Sequence, residues 1–119
     1  MIKKLLFLFC VVYCFSCEEL IEVEDISNDI VLVLAPVNDV VLNTNSITFS
    51  WDTLEFAESY RLQIARPDFE LTEVIVEDTI VSTTNFNKTL TNGEYQWRVK
   101  AINSGYETPY TTQNLTIEE

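Results

Sequence analysis

Downstream of residue 30, apolar and polar residues alternate with a period of two, not three to four. Three runs show it most clearly. Residues 46–51 place Ile47, Phe49 and Trp51 on one face and Thr48 and Ser50 on the other. Residues 59–65 turn Tyr60, Leu62 and Ile64 one way and Arg61 and Gln63 the other. Residues 94–101 separate Tyr95, Trp97, Val99 and Ala101 from Gln96, Arg98 and Lys100. A strand with one face on a core and one in water reads this way, so each run predicts a half-buried antiparallel strand. Residues 30–35, 74–77, 85–90 and 113–117 are weaker strand candidates. No segment carries a helical stripe.

Turn chemistry separates the runs. Residues 36–39 contain Pro36 and Asn38-Asp39, residues 55–58 join two strong strands, and Asn92-Gly93 is a strong hairpin dipeptide. Ser104-Gly105 opens the last loop. About seven short strands at this spacing predict an all-β, seven-stranded antiparallel immunoglobulin-like sandwich over residues 30–119.

Trp51 near the end of the second predicted strand, Tyr60 opening the third, and the stretch from Leu90 through Asn92-Gly93, Tyr95, Trp97 and Val99 to Asn103 resemble a fibronectin type III domain. The resemblance covers residues 30–117. It implies that Tyr95 is the corner tyrosine, its hydroxyl bonded to backbone just upstream, and that Trp51 is the core tryptophan. The interval from Leu90 to Tyr95 is one residue shorter than in the animal pattern and resembles the shortened Asn-Gly version of bacterial members. Such modules act as spacers, adhesive units or carbohydrate-associated units, so the resemblance speaks to fold more than to function.

The first residues read differently. Lys3 and Lys4 precede an apolar run from Leu5 to Phe15, 11 residues long. That length suits a signal peptide and falls short of the ~20 residues of a membrane-spanning helix, the competing reading. The run ends in Cys14-Phe15-Ser16-Cys17, which resembles a relaxed lipobox of bacterial lipoproteins. The resemblance implies that residues 1–16 are a signal peptide and that Cys17 is lipidated. The three cysteines, Cys10, Cys14 and Cys17, all lie here. Cleavage before Cys17 leaves one thiol and no possible internal disulfide, and acylation gives that thiol a role. Several acyl chains on one residue anchor stably where a single chain does not.

Residues 17–29 are expected to form an acidic tether carrying Glu18, Glu19, Glu22, Glu24, Asp25 and Asp29. An acidic cluster after the lipidated cysteine resembles a surface-export signal, which implies an outer-membrane protein on the cell surface. The alternative is a solvated tether, extended by self-repulsion, that holds the module at the periplasmic face.

Composition narrows the function. A chain of 119 residues holds one domain. Its formal net charge is −12, so nucleic acid would be repelled. There is no histidine, which removes the usual general base. Two glycines cannot build a phosphate cradle. No carboxylate pair is fixed by a motif, and no calcium-loop pattern occurs. The expectation is a protein that is not an enzyme, with no catalytic residue, metal or cofactor.

Two groups of residues are binding candidates. Arg61, Arg98 and Lys100 point outward on strands that neighbour each other in this fold, which predicts a basic stripe flanked by Gln63 and Gln96. The stripe suits an acidic glycan or a protein partner; the plainer expectation is cross-strand pairing with carboxylates such as Glu73 or Glu77. Tyr106 and Tyr110 lie in the last loop, where exposed tyrosines stack on sugars or anchor protein contacts, unless one packs over the sandwich end. The functional expectation is a membrane-anchored binding or accessory module for glycan capture or adhesion. The alternative is a structural spacer docked to an envelope partner.

Overall fold

A computed structural model describes residues 22–119. Within these residues eight strands form two sheets: β1 (Val33–Ala35), β2 (Val40–Leu42), β3 (Ser46–Trp51), β4 (Ser59–Arg66), β5 (Val74–Val81), β6 (Asn85–Thr89), β7 (Gly93–Ile102) and β8 (Thr111–Ile117). One sheet has the order β1-β3-β6 and the other β2-β8-β7-β4-β5. The alternating residues named above supply the filling between them. Phe49, Trp51, Leu62, Ile64, Trp97 and Val99 are all fully buried, and Phe49 meets Trp97 edge-on at 4.8 Å. Trp51 also packs on Tyr60 at 5.6 Å. Each such side chain contributes about 1.5–3 kcal/mol by leaving water.

The sandwich differs from the sequence expectation in strand count and in one pairing direction. The described residues hold eight strands because the first edge strand is split between the sheets. β1 pairs antiparallel with β3, whereas β2 runs parallel to β8. Between them lie a cis Ala35–Pro36 peptide and Asp39 at φ 64°. Val40-Val41-Leu42 is too short to show alternation, so periodicity does not find it.

The corner expected at Tyr95 is present. Its hydroxyl donates to the Thr91 carbonyl at 2.7 Å. Arg66, which the sequence did not single out, reinforces the corner: its guanidinium donates to Thr91 Oγ1 and the Asn92 carbonyl, each at 3.1 Å. Gly93 at φ 150° makes room for it, since a Cβ there would lie 2.7 Å from Arg66 Nη2.

The packed unit begins before Ile30. Ile26 is 1% exposed and belongs to the core, and the Glu24 carbonyl accepts a hydrogen bond from Asn103 Nδ2 at 2.9 Å. The domain boundary expected at residues 29/30 therefore falls inside a docked segment. The acidic residues around Ile26 face water, as does Val23, while Ile26 turns inward.

Strand direction sorts the loops. Residues 22–32, 52–58 and 103–110 gather at the end where β3 and β7 finish. Residues 43–45, 67–73, 90–92 and the C-terminal Glu119 lie at the other.

Candidate functional site

The outer face of the five-stranded sheet carries the predicted stripe. β4 and β7 pair with Arg61 opposite Lys100 and Gln63 opposite Arg98, so all four side chains share the solvent side. Their electrostatic states diverge. Arg61 grips Asp78 of β5 through Nε–Oδ1 and Nη2–Oδ2, both 2.9 Å. The bond from Arg61 holds the Asp78 carboxyl below the usual carboxylate range, and Asp78 raises the Arg61 guanidinium in turn. Lys100 Nζ meets Glu107 Oε1 at 2.8 Å. The carboxylate partners are thus Asp78 and Glu107. Glu77, expected as a partner for the stripe, faces the other way and bonds Lys88 of β6 at 3.1 Å, tying the two sheets at their open edge.

Arg98 stands apart. Its Cζ lies 3.9 Å from the Phe69 ring centre and 4.3 Å from that of Tyr110. Its Nε donates to the neutral Gln63 Oε1 at 2.8 Å. Among the described residues no carboxylate pairs with it. Tyr110 also lies under Lys100, whose Nζ is 4.7 Å from its ring centre. Phe69, Arg98, Tyr110 and Lys100 therefore form an alternating series of rings and cations across the sheet. Stacking against aromatic faces suits the planar guanidinium and leaves part of its donor set for a ligand.

The two tyrosines separate. Tyr110 joins the basic stripe. Tyr106 sits at the sandwich end, lining a groove with Glu22, Val23 and Gly105. Cys17 lies outside the described residues. Phe69 is the member that sequence reading missed. It sits in the 67–73 loop, where Asp68 Oδ1 accepts the Glu70 and Leu71 amides at 3.0 and 2.7 Å. That turn brings Phe69 back over the sheet, and its amide donates to Gln96 Oε1 at 3.0 Å. A lone aromatic in a polar loop was the available signal.

A groove of about 290 Å³ adjoins the series, lined in part by Asp39, Asp68, Glu94, Gln96 and Asn114. Its carboxylates disfavour an anion. Its amides are already joined, Gln96 Nε2 to Asn114 Oδ1 and Asn114 Nδ2 to Asp39 Oδ1, both at 2.9 Å. Among the described residues no group of three or more acidic or cysteine side chains is arranged to hold a metal.

No protein-family model matches the chain, and no characterised protein matches it in sequence. Solved structures do resemble it. Fibronectin(III)-like modules of Clostridium thermocellum CbhA align with TM-score 0.55 at 10% identity, over 75% of this chain and 96% of that one. FN3tt aligns with TM-score 0.52 at 13% identity, over 74% and 88%. The FN1-FN3 domains of chicken CNTN1 align with TM-score 0.53 at 22% identity, over 81% of this chain and 33% of that one. At these identities the likeness concerns the fold, and the chain has the fibronectin type III fold.

Proposed function

We propose that this is a non-catalytic, lipid-anchored module of the bacterial cell envelope, attached through Cys17 and displayed on the outer membrane, whose binding face is centred on Arg98. Fibronectin type III folds commonly serve as binding or structural units, which supports the class. The observation that carries the site is Arg98: a half-buried guanidinium stacked on Phe69 and Tyr110 with no carboxylate partner among the described residues. On a chain of net charge −12 a cation left unpaired is the place for an anionic group. The ligand class is an acidic glycan, its carboxylate on the guanidinium and its ring against the aromatic edge.

Affinity electrophoresis through gels containing a uronate polysaccharide tests this. The protein should be retarded, and Arg98→Gln and Tyr110→Ala should each restore free mobility. Unretarded migration of the unaltered protein in every acidic polysaccharide would refute the glycan reading.

The second reading is a spacer that docks an envelope partner. It is favoured by the internal pairing of Arg61 and Lys100, which leaves most of the face neutralised. Charge reversal at Arg98 would then release a cross-linked envelope protein without altering mobility in polysaccharide gels.

A further inference from the structure

The segment leading to the anchor is short, and it leaves the domain at an end rich in exposed apolar side chains. Val23 lies over Gly105, the Glu24 carbonyl is tied to Asn103, and Ile26 is in the core, so the chain is docked from Val23 onward. At ~3.6 Å per residue, the stretch from Cys17 to Glu22 reaches at most about 18 Å. A lipid on Cys17 therefore holds this end of the sandwich near the bilayer.

The same end exposes Phe56, Ile30, Leu32, Val23 and Tyr106, of which Ile30 is 69% and Phe56 55% exposed. Phe56 stands in the 52–58 loop at φ 69°, next to Ala57 and Asn103 in a groove that also holds Val23. Aromatic side chains at a water–lipid boundary place their rings among the headgroups. Glu22, Glu24, Glu55 and Glu58 surround these residues, which opposes an anionic surface and suits a zwitterionic one.

We infer that this end is a membrane-contact surface: with Cys17 acylated, Phe56 and Tyr106 rest in the headgroup layer of a zwitterionic bilayer, and the 67–73 loop points away. The inference rests on the lipid-anchor reading above. It orients the Arg98 face along the side of an upright module, accessible to ligands arriving parallel to the membrane.

The test uses the full lipidated protein, reconstituted into phosphatidylcholine vesicles with a fraction of headgroup-nitroxide lipid. One fluorophore is placed at Phe56→Cys, at Tyr106→Cys, or at Leu71→Cys on the opposite end. Labels at 56 and 106 should be quenched several-fold more than the label at 71. Equal quenching at all three positions, with the protein floating alongside the vesicles, would overturn the inference alone. Failure of the unlabelled protein to float would overturn the Cys17 reading and this inference with it.

Discussion

Asn103 Nδ2 donates to the Glu24 carbonyl at 2.9 Å, across 79 residues of sequence. The same side chain reaches the Phe56 carbonyl at 3.3 Å, and its Oδ1 accepts the amides of Gly105 and Tyr106 at 3.0 and 2.8 Å. One buried amide thus joins the N-terminal segment to two loops. Buried polar groups that satisfy several partners are costly to remove, because each partner is left unpaired.

Ile26 completes that attachment from the apolar side. Ile26→Ala should destabilise the domain by about 2–5 kcal/mol, the range for truncating a buried aliphatic side chain. Urea unfolding followed by tryptophan fluorescence measures it. A midpoint unchanged from the unaltered protein would show that residues 22–29 do not contribute to the folded unit.

The corner makes a second prediction. Tyr95→Phe removes the 2.7 Å bond to the Thr91 carbonyl while keeping the buried ring. The expected loss is about 1 kcal/mol. For a domain of this size that lowers the melting temperature by roughly 4–8 °C.

Gly93→Ala places a Cβ against Arg66 in a backbone conformation that suits glycine. The substitution should destabilise by more than ~1 kcal/mol. Part of the loss comes from the clash, so Arg66→Ala in the same chain should cost less than the two single losses combined. Additive losses in a double-mutant cycle would contradict the contact.

The pair of Arg61 and Asp78 sets an acid-side dependence. The Asp78 carboxyl is held below its ordinary value by the bond from Arg61, so the folded form retains the charge to lower pH than the unfolded chain. Its stabilising contribution is full above the unfolded value of about 3.9 and is lost as pH falls through the depressed folded value. Both side chains are substantially exposed, so the effect is small. Asp78→Asn should lower stability near neutrality, with the difference closing in acid. A difference independent of pH would assign the loss to packing instead.

The core was legible because its strands repeat one rule: Ile47, Phe49 and Trp51, or Tyr95, Trp97 and Val99, recur at every second position. The neighbours Arg61, Gln63, Arg98 and Lys100 followed from alternation together with the strand adjacency that the resemblance to the fold implies. What escaped depends on long-range geometry. Ile26 is an apolar residue in an acidic run, and the core it joins is assembled from strands distant in sequence. Phe69 reaches Arg98 only because the Asp68 turn folds back over the sheet. Tyr106 and Tyr110 are four residues apart, yet one lines the sandwich end and the other lies on its side. Distance in sequence is a poor guide to such placements, because loop conformation and sheet register decide them.

The claim that Arg98 organises the binding face is tested most directly by mapping backbone amide shifts of the isotope-labelled protein during titration with an oligouronate. The changes should concentrate on Phe69, Arg98, Tyr110 and Gln63 and vanish in Arg98→Gln. Shifts confined to the Tyr106 end, or the same shifts persisting in Arg98→Gln, would contradict it.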